Sequence, residues 1–148
     1  MQIKEKDLFH GAALAQIVEH GEFKALNKAD GKYGHYVVNT DRRLLFKHRT
    51  KNRSPWQFTF KPDDLKTNAS DRKAGFKTGV VLVCGQNTVC LLSLAQVRKL
   101  IDLDASSQQW IRVKIPRSRA SMRVNGTSGT LAYTVAHSSF PSRVFKLI

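Results

Sequence analysis

The chain of 148 residues is long enough for one domain with a substantial core, and its 41% hydrophobic residues indicate a folded protein rather than a disordered one. Its net charge of +14 excludes a neutral or acidic surface, and no apolar run approaches the ~20 residues that a membrane span needs. The N-terminal MQIKEKDLFHG carries charges without an apolar core region, so we expect no signal peptide, no membrane partner and a cytoplasmic location.

The first half of the chain predicts one helix followed by three strands. Residues 7–20 have an apolar stripe and a capping Asp7, which together indicate a helix, and Asp30-Gly31 indicates a turn. Residues 35–39 and 43–49 are two predicted strands, and the turn residues between them predict a hairpin. Residues 56–60 (WQFTF) predict a third strand with its aromatic side chains on one face, and we expect that face to be core.

The middle of the chain contains its most apolar segment. Residues 62–79 are polar and rich in turn residues; a short helix can begin at Asp63, and we expect the least regular part of the fold here. The continuous apolar run 80–84 predicts a central strand buried on both faces, with 89–92 as its partner. Ser93 and Gln96 form a capping box that predicts a helix over residues 94–101.

The last third of the chain is basic and rich in short strands. Residues 110–115 alternate between basic and apolar side chains, which predicts a half-exposed strand with a basic solvent face. Residues 121–125 and 130–135 predict two further strands, and the C-terminal apolar side chains are expected to pack on the core. The whole chain, residues 1–148, is therefore predicted to be a single α+β domain with one mixed or mostly antiparallel sheet, an N-terminal helix and a helix after Ser93.

The two cysteines, Cys84 and Cys90, lie in apolar strand-like runs. In a chain without a signal peptide, buried free thiols are the expected state, and whether the two face each other depends on the loop between the strands. Since no histidine stands at ligand spacing from them, we expect no metal site and no cofactor.

The uneven distribution of charge points to a polyanionic partner. Residues 1–41 carry five basic and six acidic side chains, residues 42–104 carry thirteen and five, and residues 105–148 carry seven and none. Such an excess of positive charge attracts polyanions, and nucleic acid is the most common polyanionic partner. The alternative is a basic surface that only keeps the protein soluble. We expect nucleic acid, DNA rather than RNA, to be bound without catalysis, and Tyr36 or Trp56 to stack on a base if exposed. The predicted phosphate contacts are Arg42, Arg43, Lys47, Arg49, Lys51, Arg53, Arg112, Lys114, Arg117, Arg119 and Arg123.

The order of elements in RLLFKHRTK…WQFTF…VVLVCG…VCLLS…VRKLID resembles the central part of the PD-(D/E)XK restriction-endonuclease-like superfamily. That resemblance implies a restriction-endonuclease-like core and a Mg²⁺-dependent nuclease, in which two carboxylates hold the metal and a lysine orients the water. Lys47 stands at the position of the motif lysine, but Leu45 occupies the acidic position before it. Asp41 and Glu19, or Glu22 in its place, are the acids that an active nuclease would use.

Three functions therefore follow from the sequence. A nucleic-acid-binding protein is favoured, since the carboxylates of a metal-dependent nuclease are incomplete. A divergent Mg²⁺-dependent nuclease is the enzymatic alternative. A protein-interaction module or inhibitor that docks on an acidic partner is the third, because such a partner presents the same charge as a polynucleotide.

Overall fold

A computed structural model describes residues 2–29 and 33–148. In this part of the chain three α-helices and two β-sheets form one α+β domain, which confirms the predicted class, and the turn predicted at Asp30-Gly31 lies outside it. The expectation of a single sheet is wrong, because the aromatic strand belongs to a second sheet. The elements are α1 (Glu5–Val18), β1 (Leu26–Lys28), β2 (His35–Val38), β3 (Arg42–Arg49), β4 (Trp56–Phe60), α2 (Pro62–Lys73), β5 (Lys77–Cys84), β6 (Thr88–Ser93), α3 (Leu94–Leu100), β7 (Gln109–Lys114) and β8 (Arg123–Gly126), followed by 3-10 helices at His137–Ser139 and Ser142–Lys146.

The first sheet, sheet A, has the strand order β1-β2-β3-β5-β6. β3 and β5 run parallel, from Arg42 opposite Lys77 to Arg49 opposite Cys84, and their connection passes through β4 and α2. The other neighbours pair antiparallel, so the sheet is mixed. The apolar run of β5 is buried along its length because strands pair on both sides of it and packed layers cover both faces, which confirms the predicted central strand.

β2 and β3 form the predicted antiparallel hairpin, in which Val38 lies opposite Arg42. Asn39, the first residue of the connection, has a left-handed φ of 58°, which Asn tolerates better than most residues. Its Oδ1 accepts hydrogen bonds from the backbone N–H groups of Lys24 (2.7 Å) and Ala25 (3.3 Å). The turn is therefore held by the segment that precedes β1.

The second sheet, sheet B, has the order β4-β7-β8 and is antiparallel throughout. Trp56, Phe58 and Phe60 are buried on one face of β4, as predicted, and pack with Leu45 and Val80 of sheet A. This face of sheet A also receives apolar side chains of α2 and α3. Its opposite face is covered by α1 and the C-terminal 3-10 helix, so sheet A is the middle layer of three.

α2 shows that the expectation for residues 62–79 is wrong, because most of this segment is a regular helix. Pro62 occupies the first turn, and the Asp64 carboxylate accepts a hydrogen bond from the Lys61 backbone N–H (3.0 Å). The buried face combines one leucine with three polar residues, Asp64, Asn68 and Asp71. A helix buried through polar side chains lacks the apolar stripe from which helices are predicted.

The segment after β8 corrects a second expectation. Residues 130–135 do not form a continuous strand; isolated bridges join Val135 to Met122 and Thr130 to Asn125. The capping box at Ser93 and the packing of the C-terminal apolar side chains on the core are confirmed. The C-terminal end therefore closes the core without extending either sheet.

Both cysteines are buried free thiols, as predicted. The loop between β5 and β6 has three residues, which places Cys90 opposite Leu82 rather than opposite Cys84. Within residues 2–29 and 33–148, no three His, Cys, Asp or Glu side chains converge as metal ligands. None of the helices in these residues has the length and apolarity that crossing a bilayer requires.

Candidate nucleic-acid interface

The solvent face of sheet B carries the basic side chains of β7 and β8. The alternation of β7 directs Ile111 and Val113 into the core and Arg112 and Lys114 into solvent. Lys114 lies directly opposite Arg123 of β8. Like charges that face each other across a strand pair repel, so this arrangement is unfavourable for the isolated sheet and favourable for an anion bound above it.

Trp110 is the aromatic residue of this face and is half-buried. Its backbone is fixed by Thr127, whose Oγ1 accepts a hydrogen bond from the Trp110 N–H (2.8 Å) and whose N–H donates to the Trp110 carbonyl (3.1 Å). The Arg112 guanidinium lies 5.4 Å from the centre of the Trp110 ring and also donates to Gln57 Oε1 at 2.7 Å. An aromatic ring held on a rigid strand beside an arginine is suited to stacking on a base.

Two basic loops meet at one end of sheet B. Ser54, in the loop between β3 and β4, donates its hydroxyl to the Ile115 carbonyl in the loop after β7 (3.1 Å). The first loop is further fixed by the Trp56 indole, which donates to the Lys51 carbonyl at 2.7 Å. It also packs against Gly85, where a Cβ would collide with the Lys51 backbone. These contacts place the cations of both loops beside β7 and β8.

We call this region the basic sheet surface. It comprises the solvent face of sheet B and its two adjoining loops. In the described ranges, no carboxylate forms an ion pair with any of its cations, and residues 105–148 contain no acidic residue at all. Its basic side chains are exposed: Lys51, Arg53, Arg112, Lys114, Arg117, Arg119 and Arg123.

Arg42 was predicted to contact phosphate, but its guanidinium is bound by other groups of the protein. Its Nε donates to the Val144 carbonyl (2.8 Å) and its Nη2 to the Phe145 carbonyl (3.0 Å), and its Nη1 pairs with Asp41 (2.5 Å). These contacts tie the C-terminal 3-10 helix to β3. Arg42 therefore has a structural role in the fold.

Arg43 and Lys47 are engaged from the other side of β3, by the buried face of α2. Arg43 Nη1 lies 3.2 Å from Asp71, which also pairs with the buried His35 at 2.6 Å. Lys47 Nζ lies 2.9 Å from the Asp64 carboxylate. Asp64 and Asp71 were not predicted as functional residues, although their spacing of seven places both on one face of a helix.

The carboxylates expected for a nuclease do not come together with Lys47. Asp41 pairs with Lys77 at the beginning of β3, and six residues of extended strand separate it from Lys47 by roughly 20 Å. Glu19 caps the C-terminus of α1 with its side chain exposed. The carboxylate beside Lys47 is Asp64, which also accepts the Lys61 N–H.

The two aromatic residues expected to stack on bases lie elsewhere. Trp56 is 1% exposed in the core, and Tyr36 lies on β2 of sheet A with its ring edge-on to Phe46. Trp110 is instead the aromatic residue that lies on the basic sheet surface, where we expected Tyr36 or Trp56. The sequence contained a signal for Trp110, because Trp110, Arg112 and Lys114 share the solvent-exposed face of a predicted strand.

Comparisons with protein-family models, with curated proteins and with solved structures found no match to this chain. The resemblance to restriction-endonuclease-like proteins therefore stays a prediction. The function has to be argued from the basic sheet surface itself.

Proposed function

We propose that this protein binds single-stranded nucleic acid on the basic sheet surface. The observation that carries the proposal is the open face of sheet B, where Lys114 and Arg123 stand opposite each other on the same face as the half-buried Trp110. Cations without carboxylate partners attract phosphates, and the part of an aromatic ring that reaches the surface can stack on an unstacked base. The expectation that the protein prefers DNA to RNA remains part of this proposal.

A single strand fits this face better than a duplex because the face offers two kinds of contact, one to phosphates and one to an unstacked base. Phosphates would lie along Arg112, Lys114 and Arg123, where they position the strand without reading its sequence. Trp110 would stack on a base, which is accessible only where the base is not stacked in a helix. The loop cations would extend the phosphate track beyond the end of the sheet.

The test compares two double variants that remove the same charge from different faces. Lys114→Gln with Arg123→Gln removes one lysine and one arginine from the basic sheet surface. Arg143→Gln with Lys146→Gln removes the same charges from the exposed C-terminal 3-10 helix, on the opposite layer. Binding of fluorescent DNA and RNA oligonucleotides is measured by anisotropy over several salt concentrations.

We expect log K to fall against log salt with a slope of roughly −4 to −7 in the wild type, as for about five to eight neutralised phosphates. The Lys114/Arg123 variant should flatten that slope by up to about two, and the Arg143/Lys146 variant should leave it unchanged. Equal losses in the two variants would mean that net charge alone is responsible. Binding of polyglutamate as tight as that of the oligonucleotides would favour an acidic protein partner instead.

A further inference from the structure

A second basic feature lies beside sheet B, in a cleft of about 340 Å³ between β3 and β4. The cleft forms beyond the first residue of β2, since β2 pairs with β3 only as far as Leu45. Beyond that point, successive residues of β3 line the cleft. Among the described residues that line it, none carries a carboxylate; they are His10, Tyr33, Phe46, Lys47, His48, Arg49, Phe58 and Thr59.

Two imidazoles form one wall of the cleft. His10 Nε2 lies 3.1 Å from His48 Nδ1, and the two rings meet edge to face. His10 is 5% exposed and its Nδ1 has no hydrogen-bond partner in the described residues. Burial, together with the neighbouring charge of His48 and Lys47, lowers the pKa of His10 to about 4, and burial lowers the pKa of His48. Both shifts favour the neutral form of the rings.

The charges around these imidazoles come from α1 and β3. From α1, Lys6 lowers and Asp7 raises the pKa of His10, and Glu5 raises that of His48. Asp7 is itself engaged by the Tyr33 hydroxyl (3.2 Å) and the Lys4 N–H (2.9 Å).

On the β3 side, Lys47 is partly neutralised by Asp64 outside the cleft, and Arg49 is exposed at its mouth. Arg49 forms no ion pair with a carboxylate of residues 2–29 or 33–148. After burial, Arg49 is the group that lowers the pKa of His48, so a positive charge stands beside an imidazole that is disfavoured from becoming positive itself.

We propose that this cleft binds a phosphate monoester, with Arg49, His48 and the Thr59 hydroxyl as its donors. A dianion between Arg49 and the imidazole pair would offset the burial and the neighbouring positive charge that disfavour protonated rings, so its binding would draw a proton onto His48. A phosphate group also fits the donor set, because a guanidinium, an imidazolium and a hydroxyl all donate to phosphate oxygens.

The cleft adjoins the basic sheet surface at one residue, since Thr59 lines the cleft and lies opposite Trp110 in sheet B. A strand whose bases reach Trp110 would thus bring a phosphorylated end towards Arg49. This part of the inference rests on the proposed function, whereas the binding of a phosphate group by the cleft does not. A phosphorylated strand end and a small phosphate monoester present the same chemistry, and the experiment below separates them.

The first arm uses sulfate, which stays a dianion between pH 5.5 and pH 7.5, and follows the ring resonances of His10 and His48 by NMR. Sulfate should raise the pKa of His48 and bind more tightly at the lower pH, by a factor of ten for each unit of that rise. Arg49→Gln should weaken binding about tenfold or more, as for the loss of one charge-assisted hydrogen bond. His48→Gln keeps a side-chain hydrogen-bonding group near His10 but cannot take a proton, so its sulfate binding should not depend on pH.

The control for this arm is Arg143→Gln, which removes an exposed arginine that does not line the cleft. Unchanged His48 resonances in sulfate, or an equal loss in Arg49→Gln and Arg143→Gln, would overturn the cleft as an anion site. Retained pH dependence in His48→Gln would overturn its role as the group that takes the proton.

The second arm compares oligonucleotides of one sequence with a 5′-phosphate, a 3′-phosphate or hydroxyl ends. One phosphorylated end should bind about tenfold more tightly than the hydroxyl end, and Arg49→Gln should remove that preference. Lys114→Gln with Arg123→Gln should weaken all three oligonucleotides and leave sulfate binding intact. Sulfate binding without any preference between ends would overturn the strand-end assignment and leave a small phosphate monoester as the ligand. Sulfate binding without oligonucleotide binding would overturn the proposed function while the phosphate cleft stands.

Discussion

Sheet A and sheet B carry the same kinds of basic side chain in opposite situations. On β3 of sheet A, Arg43 and Lys47 point towards α2 and meet carboxylates there. On β7 of sheet B, Arg112 and Lys114 point into solvent and meet none in the described residues. The density of positive charge along the sequence therefore does not locate the binding surface, because the surface depends on where the carboxylates fold.

α2 is the element that makes the difference. Its Asp64 and Asp71 face sheet A and form ion pairs with the basic side chains of β3. In the described part of the chain, no comparable acidic helix covers the outer face of sheet B. Buried ion pairs of this kind hold the fold only while both partners remain, since a single buried charge is strongly unfavourable. The cations of sheet B have no such role, and they can be removed without leaving a buried charge.

The largest expected effect is on the buried side of this comparison. Asp71→Asn removes the charge that faces Arg43 and His35, and we expect it to lower the free energy of unfolding by about 3 kcal/mol or more. Urea unfolding monitored by circular dichroism measures the change. Asp104→Asn, in an exposed loop, is the control and should change it by less than about 0.5 kcal/mol. Similar small effects in both variants would mean that the pairing beneath α2 does not stabilise sheet A.

A second effect concerns the acid sensitivity of the layer between α1 and sheet A. The pKa of His10 is about 4 in the folded protein and 6.5 as its ordinary value, so the unfolded chain takes the proton first as the pH falls. The stabilisation is complete above pH 6.5 and is lost between pH 6.5 and pH 4, by at most about 3 kcal/mol. Unfolding free energies across this window, in the wild type and in His10→Phe, measure it. A wild-type curve that is flat there, or a variant curve just as steep, would contradict the assignment to His10.

The third effect belongs to sheet B and involves no charge. Trp110→Ala should weaken binding of a single-stranded oligonucleotide by about 1–3 kcal/mol, the usual contribution of one stacked base. The salt dependence should not change, because stacking releases no counterions. Tyr133→Ala, which removes an exposed aromatic ring outside sheet B, is the control and should have little effect. A change in slope without a loss of affinity at high salt would indicate that Trp110 orders the cations rather than contacting a base.

The sequence was sufficient to predict those elements in which each face carries side chains of one chemical kind. The apolar run of β5, the aromatic face of β4 and the capping box at Ser93 each predict one structure, and the fold contains all three. α2 was missed as a regular, buried element because its inner face carries Asp64 and Asp71, whose charged partners on β2 and β3 are distant in sequence. The same pairing decides which predicted binding residues face solvent.

The cleft between β3 and β4 could not be predicted for a related reason. His10 and His48 are thirty-eight residues apart, and nothing in their local sequence brings them within 3.1 Å. Their meeting depends on α1 packing across sheet A, and the open side of the cleft depends on β2 being shorter than β3. Contacts set by the packing of layers leave no periodicity in the sequence.

The smallest expected effect is the counterpart of the first. Lys114→Gln with Arg123→Gln leaves no buried charge behind, so the free energy of unfolding should change by less than about 0.5 kcal/mol per site. At low salt it should even rise slightly, because two like charges directly opposite each other on neighbouring strands repel. Added salt should shrink this gain, because the distance over which exposed charges repel falls from about 30 Å at 0.01 M to about 3 Å at 1 M. Thermal unfolding at low and high salt, without nucleic acid, measures both changes. A clear loss of stability at low salt would show that these cations have partners that hold sheet B together, and would make their positions on the open face structural instead of functional.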